Sequence, residues 1–216
     1  MAGLTTGLKR ADREHLMAIA TPLRLTKDAF LFKHGAPADA IFNITSGTAR
    51  ALRLVAGRPR VVAFLFEGDL SGLAKNGVYV NSVQALTPVT AFRIPLEPLT
   101  AMLRRDADLQ FCFLCKVVHI VREMQRQAVV TAHRDPVDRV AAFLSMLEDV
   151  QSGLHDRHMI HVPMRSQDVA DYVDLTADEV RRAMEDLRRE GAIEPSADRS
   201  IRVTNRRRFN RRVAGV

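Results

Sequence analysis

Two absences narrow the kinds of protein that this sequence can encode. Its 216 residues include two cysteines, too few for a disulfide framework or for a four-cysteine metal site within one chain. No run of about 18 apolar residues occurs, so we expect no transmembrane helix and no membrane partner. The N-terminal residues lack the apolar stretch of a secretory signal. We therefore expect a cytoplasmic protein.

Charge is distributed unevenly along the chain. The formal net charge is +7. Residues 137–198 contain 14 acidic and seven basic side chains, whereas residues 199–216 contain seven arginines and no acidic residue. This basic end can contact the phosphates of a nucleic acid, or it can be a solvated terminus.

The first half of the sequence has the pattern of an antiparallel β structure. Residues 9–20 are predicted to form an amphipathic helix in which Leu16, Met17 and Ile19 face a core. Over residues 22–94, short β-prone runs alternate with turn residues, among them glycines at positions 35, 47, 57 and 68. Regular turns of this kind are typical of a sandwich or a small barrel.

Helices are predicted after this β region. Residues 96–106 are expected to form a short helix and residues 107–133 a long one. The long helix contains an apolar seam with the 3-4-3-4-3 spacing that pairs two helices. We therefore expect a homodimer, with packing on the chain's own β domain as the alternative. The seam consists of Leu114, Val117, Val121, Met124, Ala128 and Thr131.

A new helix is predicted to begin at Asp135. Asp is a favourable N-cap residue, and Pro136 suits the first helical position. The apolar stripe of this helix continues to about Gln151, and a short β-like segment follows at residues 159–163. These signals indicate that a second domain starts here.

Residues 166–190 carry the signals of two short helices. Ser166 is predicted to cap the first helix. Thr176 is predicted to cap the second helix and to form a capping box with Glu179, and Gly191 is predicted to end it. The two helices are therefore separated by a very short joint.

The residues at this joint have the spacing of a helix-turn-helix. Ala170 is small enough for the helices to cross closely, and Val180 is an apolar residue that closes the core. Asp174 occupies the turn position, where glycine is usual, and aspartate tolerates the left-handed region better than most residues. The spacing thus predicts a DNA-binding motif.

The outward face of the second helix is charged over its N-terminal half. Arginine can bind guanine O6 and N7, and aspartate can accept from cytosine N4. Residues 193–203 are predicted to form a β-hairpin wing that grips phosphates. The alternative is a surface helix whose charges are only solvated. The predicted DNA contacts are Ser166, Gln167, Thr176, Asp178, Arg181, Arg182, Arg199 and Arg202.

In combination these segments resemble the CRP/FNR family of bacterial transcription regulators. The resemblance covers about residues 12–212 and is carried by FLFKHGAPADAIFNITSGTARALRL, FLFEGD and RSQDVADYVDLTADEVRRAMEDLRREGAI. It implies an α+β fold: an N-terminal antiparallel β-roll (cupin-like, of the cyclic-nucleotide-binding-domain type), a long dimerisation helix and a C-terminal winged helix-turn-helix. The domains expected are residues 1–106, 107–134 and 135–216.

The resemblance also implies how such a protein acts. It implies a homodimer that binds a two-fold symmetric site in double-stranded DNA and contacts RNA polymerase, mostly as an activator. Members that bind cyclic AMP carry Gly-Glu-Leu and Arg-Ser in the β-roll. The matching positions here are Gly72-Leu73-Ala74 and Asn81-Ser82, so both charged ligands are missing. Without a cation at position 81, burial of a phosphate is poorly compensated, and we expect no ordinary cyclic AMP binding.

Other candidate sites are weaker. Cys112 and Cys115 are too few for an iron–sulfur cluster in one chain, although a dimer would hold four such thiols. His155, His158 and His161 form a run with ligand chemistry suited to zinc, copper or nickel, but it spans a loop and a strand. We expect no metal ion and no cofactor at either place.

The expected function is DNA-binding transcription regulation rather than catalysis. The sequence contains no nucleophile elbow, P-loop or convincing acid/base pair. Two alternatives remain open. The β-roll can bind another small effector, in a pocket that would include Gly72, Leu73, Asn81 and Ser82, or the winged helix can be degenerate and serve protein interaction instead.

Overall fold

The computed structural model describes residues 10–72, 74–152 and 159–215. The chain divides into two units between Arg122 and Glu123, and each is described in turn. Leu73 and residues 153–158 lie outside the described residues. Within the described segments, no helix is long and apolar enough to cross a membrane.

Ten strands form the β-roll of the first unit. They are β1 (Thr21–Leu25), β2 (Phe30–Phe32), β3 (Ala40–Ser46), β4 (Ala49–Val55), β5 (Arg58–Leu65), β6 (Leu70–Ser71), β7 (Ala74–Lys75), β8 (Val78–Tyr79), β9 (Ser82–Ala85) and β10 (Val89–Pro95). One sheet has the order β1-β10-β3-β6 and the other has the order β2-β9-β4-β5, while β7 and β8 form a separate hairpin. All pairs are antiparallel. The predicted fold class is confirmed.

Turn glycines allow the chain to reverse between these strands. All four glycines that the sequence analysis singled out have positive φ values. Gly47 is tightly constrained, because a Cβ atom there would lie 2.2 Å from the carbonyl oxygen of Pro88. A side chain at this position would therefore force the β3–β4 turn away from its neighbour.

Apolar side chains from both sheets meet inside the roll. Ile44 and Ala91 come from one sheet, and Ala51 and Val83 come from the other. These side chains are almost fully buried, which follows from the alternation of inward and outward residues along each strand. Burial of this cluster holds the two sheets together.

The described part of this unit also contains the helices α1 (Arg10–Ile19) and α2 (Leu96–Leu103) and the start of α3 (Ala107–Ala132), which continues into the second unit. Leu16 is fully buried in a cluster with Ile41 and Leu99, and Ile19 packs against the same cluster. Met17, which the sequence analysis predicted to face the core, is 42% exposed. That prediction is wrong because Leu16 and Ile19, three residues apart, define the buried face, and Met17 lies beside it.

The second unit is a winged helix. Its elements are α4 (Pro136–Gln151), β11 (Met159–His161), α5 (Ser166–Val173), α6 (Ala177–Arg189), β12 (Ile193–Pro195), β13 (Ser200–Val203) and α7 (Arg206–Val213). The strands form an antiparallel sheet with the order β11-β13-β12. The carboxylate of Asp135 accepts a hydrogen bond of 2.8 Å from the N–H of Val137, so the predicted cap of α4 is confirmed. Phe143, Leu187 and Phe209 are fully buried among these elements.

Arginines of α7 bind carboxylates of the same unit. Arg206 donates to Glu148 at 2.6 Å, and Arg212 donates to Asp138 at 3.3 Å and to Glu190 at 3.0 Å. Part of the basic end of the chain is therefore neutralised within the winged-helix unit. These two arginines hold α7 in place, and their charge is partly cancelled by the carboxylates that they bind.

Candidate nucleic-acid interface

The turn of the helix-turn-helix has the backbone that the sequence predicted. Asp174 has φ 55° and ψ 56°, in the left-handed region. The N–H of Leu175 donates to the carbonyl of Ala170 at 2.9 Å. Ala170 and Val180 are buried where α5 and α6 cross. The spacing of these residues thus produces the close helix crossing that the motif requires.

Both ends of α6 are closed by local hydrogen bonds. The N–H of Thr176 donates to the carboxylate of Glu179 at 2.7 Å, and the N–H of Glu179 donates to the hydroxyl of Thr176 at 3.2 Å. The first of these bonds is the main reason that the pKa of Glu179 is lowered. At the other end Gly191 has φ 65°, and the N–H of Ala192 donates to the carbonyl of Leu187 at 3.0 Å. The predicted capping box and glycine stop are confirmed.

The start of α5 differs from the prediction by one residue. Arg165, with φ −78° and ψ 157°, is the N-cap residue, and Ser166 is the first residue of the helix. The buried carboxylate of Asp168 accepts from the N–H of Arg165 at 3.1 Å. This bond fixes the helix start at Arg165, so the prediction that Ser166 is the cap is wrong.

The charged face of α6 lies on the surface. Val180, Ala183 and Leu187 are buried, whereas Asp178, Arg181 and Arg182 are exposed. Asp178 and Arg181 form a close ion pair, and Nε of Arg182 lies 3.4 Å from the carbonyl oxygen of Asp178. The N-terminal half of α6 therefore presents two guanidinium groups and a carboxylate, which are groups that read base edges in the major groove.

The predicted wing is a hairpin of β12 and β13. Arg199 stands in its turn with φ 56° and donates to the carbonyl of Pro163 at 3.2 Å. Arg202 lies on β13, paired with Glu194 of β12, and is exposed. Arg199 is thus held against the segment before α5, while Arg202 remains available to solvent.

Three of the predicted contacts, Ser166, Arg181 and Arg199, line one groove of about 530 Å³ between the start of α5, α6 and the wing. The residues that do not line this groove are Gln167, Thr176, Asp178, Arg182 and Arg202. The sequence analysis missed Arg165 and Arg188, which also line it. Arg188 follows Arg181 by seven residues, or two helical turns, and this spacing was the available signal.

The predicted effector pocket is described only in part, since Leu73 lies outside the described residues. Gly72 has φ 98°, and a Cβ atom there would lie 2.9 Å from the carbonyl oxygen of Ala40. The hydroxyl of Ser82 accepts from the N–H of His34 at 2.9 Å. Within the described residues, the side-chain oxygen of Asn81 is buried without a hydrogen-bond partner. In the predicted pocket, the hydroxyl of Ser82 therefore forms a hydrogen bond with the backbone. The side-chain oxygen of Asn81 is a buried acceptor without a hydrogen-bond partner among the described residues.

The outer face of α3 carries exposed apolar side chains. Of the predicted seam, Leu114, Val121 and Met124 are 57%, 49% and 66% exposed. Phe111 is also exposed, together with Val118 and Val129, which the sequence analysis did not include. Thr131 is instead half-buried, and its hydroxyl donates to main-chain carbonyls of its own helix. Val117 is 42% exposed, and Ala128 is exposed as well. Five of the six predicted seam positions, 114, 117, 121, 124 and 128, therefore form an exposed stripe with a 3-4-3-4 spacing.

The candidate metal ligands are not gathered into a site within the described residues. Cys112 is half-buried and Cys115 is exposed, and both are free thiols. His155 and His158 fall outside the described residues, so the histidine run cannot be traced beyond His161. In the part of the chain that the structure describes, no three histidine, cysteine or acidic side chains form a metal-binding group.

Comparison with known proteins identifies both units. Residues 22–106 match the family described as cyclic nucleotide-binding domain, and residues 138–212 match the family described as Crp-like helix-turn-helix domain. A β-roll of the first family joined to a winged helix of the second defines a DNA-binding transcription regulator. The chain belongs to the CRP/FNR family, whose members are transcription regulators and not enzymes.

Relatives with both parts are similar over most of the chain. The transcriptional activatory protein AadR of Rhodopseudomonas palustris is 27% identical over 202 residues, covering 93% of this chain and 84% of its own length. The nitrogen fixation regulation protein FixK of Azorhizobium caulinodans is 24% identical over 197 residues, covering 90% of this chain and 79% of its own length. The structure of FixK2 from Bradyrhizobium japonicum has the same fold, with a TM-score of 0.79, 24% identity and coverage of 89% of this chain and 96% of that one.

Proposed function

We propose that the protein is a homodimeric regulator that reads a two-fold symmetric site in double-stranded DNA with α6. The observation that carries the proposal is the exposed charged face of α6, with Asp178, Arg181 and Arg182 in its N-terminal half. The capping box and the glycine stop hold this helix rigidly. A rigid helix with base-reading groups at its N-terminal half is the form that enters a major groove.

The proposed contacts divide into two roles. Arg181, Arg182 and Asp178 read base edges. Arg199 and Arg202 of the wing, with Ser166, Gln167 and Thr176 near the helix starts, position the protein on phosphates. Because Thr176 also caps α6, its substitution would disturb the helix as well as any contact with DNA.

The exposed stripe of α3 supports the homodimer. Seven large apolar side chains of α3, among them Phe111, Leu114 and Met124, are between 42% and 66% exposed. A contiguous apolar surface with a 3-4 repeat is stabilised when a second helix covers it. Helix-turn-helix dimers bind half-sites about one turn of DNA apart, roughly 10–10.5 bp between centres, and we expect the same spacing for this protein.

Control by an effector is a second candidate function. The buried and unsatisfied oxygen of Asn81 favours a ligand that donates a hydrogen bond inside the β-roll. Because an amide replaces a cation at this position, a neutral donor fits better than the phosphate of a cyclic nucleotide. A winged helix that serves only protein interaction is the remaining alternative, and it would bind DNA without sequence preference.

The family suggests the wider role. AadR is named as a transcriptional activatory protein, and we propose that this chain also activates transcription, in the cytoplasm, by contacting RNA polymerase. No cofactor or membrane is required for this role. We propose that the effector, dimerisation and DNA-binding functions belong to residues 1–106, 107–134 and 135–216.

Selection from a random duplex DNA pool tests the proposal. Purified full-length protein is incubated with the pool at physiological salt and without an added effector, and the bound duplexes are sequenced. We expect enrichment of a site with two-fold symmetry. If no site is enriched, the selection is repeated with small metabolites added. If no site is enriched in either experiment and the protein binds all duplexes equally, the proposed function is contradicted, and a winged helix that serves protein interaction becomes the better explanation.

A further inference from the structure

The groove beside α6 has an apolar floor. The side chains of Met164, Val169, Val180 and Ile193 are almost fully buried at its base. Met184 of α6, with Val162 and Ile201 of the sheet region, is half-buried in its walls. We name this space the wing groove. Apolar walls of this kind gain little from contact with water or with a sugar–phosphate chain.

The rim of the wing groove is strongly basic. It carries four exposed arginines and one carboxylate, that of Glu185. Nη1 of Arg188 lies 3.4 Å from Glu185, so this acid is already paired with one of the arginines. The four arginines are Arg165, Arg181, Arg188 and Arg199. Arg181 is likewise paired, with Asp178. An anion at the rim would therefore meet four guanidinium groups and two carboxylates that are both already paired, a net positive charge that favours charge-assisted hydrogen bonds.

The wing groove has the volume of a small-molecule site. Its volume of about 530 Å³ lies within the range of roughly 300–1,000 Å³ that is usual for small-molecule sites. Such sites are mostly apolar with a few polar groups that fix the orientation of the ligand. A bare phosphate would use the rim and leave the floor empty.

We propose that the wing groove binds a small amphipathic anion, with an aliphatic or aromatic body on the apolar floor and a carboxylate at the arginine rim. Arg181 and Arg199 at this rim also belong to the proposed DNA contacts. An occupied groove therefore blocks DNA binding, and this consequence rests on the proposed function. The binding of the anion itself does not.

Methionine NMR on the full-length protein tests the binding. Met164 and Met184 line the groove, whereas Met146 lies in the winged-helix core and Met124 lies on α3. Protein labelled at the methionine methyl groups is titrated with decanoate below its micelle concentration, and methionine-to-leucine variants assign the signals. We expect saturable shifts at Met164 and Met184 and none at Met124. Shifts of equal size at Met124, or shifts that do not saturate, would overturn the proposal.

The contributions of charge and of apolar contact to decanoate binding are measured with protein variants and with related probe molecules. We expect Arg165→Ala to weaken decanoate binding roughly tenfold, because a charge-assisted hydrogen bond is lost. Arg207→Ala, an exposed α7 arginine outside the groove, is the matched control and should have no effect. Decanol should bind more weakly than decanoate, and so should inorganic phosphate. If decanol or inorganic phosphate bound as tightly as decanoate, the proposal that the ligand is an amphipathic anion would be overturned.

A competition experiment with DNA tests the anion site and the proposed function separately. The selected duplex is bound to the protein, and decanoate is added at the concentration that saturates the methionine shifts. We expect release of the duplex. Saturation without release would overturn the blocking of DNA, while the binding site would stand. A protein that binds decanoate but enriches no duplex, either alone or with the added metabolites, would contradict the proposed function alone.

Discussion

Arg139 and Asp174 are joined by a hydrogen bond of 2.9 Å, in which the guanidinium of Arg139 donates to the main-chain carbonyl of Asp174. The same guanidinium donates to the carbonyl of His133 at 2.6 Å. One side chain of α4 therefore ties the turn of the helix-turn-helix to the segment that precedes α4. The position of α6 depends on this bond, because α6 starts directly after the turn.

Removal of this guanidinium should loosen the winged-helix unit. We expect Arg139→Ala to lower the free energy of unfolding by about 1.5–3 kcal/mol, since the lost hydrogen bonds come from a charged donor. Urea unfolding monitored by circular dichroism measures the change. Arg207→Ala, on an exposed position of α7, should change stability by less than about 0.5 kcal/mol. An equal effect of both variants would mean that the bond does not support the turn.

The left-handed backbone of Asp174 makes a second stability prediction. We expect Asp174→Val to be less stable than Asp174→Gly by about 1–2 kcal/mol, because a branched side chain is strained at φ 55°. Asp171, which lies within α5, is the control. There glycine should be less stable than valine by a few tenths of a kcal/mol. The same order at both positions would contradict the role of backbone strain at the turn.

Glu190 should make the winged-helix unit sensitive to acid. Hydrogen bonds donated by Arg212 lower the pKa of Glu190 below its ordinary value of 4.5. A carboxyl group with a lowered folded-state pKa stabilises the fold above its unfolded pKa and loses that contribution as the pH falls through the folded value. We therefore expect stability to decline below pH 4.5 and this decline to be smaller in Glu190→Gln.

Urea midpoints between pH 7 and pH 3 measure this dependence. Glu194→Gln, a substitution at an exposed position of β12, is the matched control and should behave as the unchanged protein does. The unfolding of the winged-helix unit must be followed separately, because the two units need not unfold together. Identical pH profiles for the protein and Glu190→Gln would show that the pair with Arg212 contributes nothing.

A charge at the centre of the exposed stripe of α3 should prevent dimerisation. Val121 is 49% exposed and lies in the middle of the stripe. Because a carboxylate buried without a partner is strongly unfavourable, we expect Val121→Glu to convert the proposed dimer into a monomer. Sedimentation velocity measures the mass. Thr100→Glu adds the same charge at an exposed position of α2 and should leave the proposed dimer intact. If both variants were monomers, the change in net charge, and not the position of Val121, would explain the dissociation.

Local signals in the sequence predicted more of this structure than long-range ones did. The caps at Asp135 and Thr176 follow from hydrogen bonds within three residues, which the sequence displays directly. The N-cap of α5 was predicted one residue too late. The bond from the N–H of Arg165 to the carboxylate of Asp168 is equally local, but serine is the more favourable cap residue by type. Of the seam predicted on α3, Thr131 is half-buried. Its other members are exposed, and their pairing with a second helix stays a prediction.

The spacing of Arg181 and Arg188 was a sequence signal for one side of the wing groove, but the groove as a whole could not be predicted from the sequence. Arg165 precedes α5, Arg188 lies late in α6, and Arg199 stands in the wing. Only the packing of these three elements brings their side chains to one rim. Periodicity describes one element at a time, and it therefore contains no information about such a convergence.

Arg182 provides the sharpest test of base reading. It is exposed in the N-terminal half of α6, and its one polar contact among the described residues is the weak one of 3.4 Å to the carbonyl of Asp178. We expect Arg182→Ala to weaken binding to the selected site by about 1–3 kcal/mol and to relax preference at one base pair of each half-site. Fluorescence anisotropy with all four bases at each position, at one fixed salt concentration, measures both effects. Arg189→Ala, in the last turn of the same helix, should leave the base preference unchanged. Uniform weakening by Arg182→Ala on every duplex would assign this guanidinium to a phosphate, and the reading of bases would then have to come from Asp178 and Arg181.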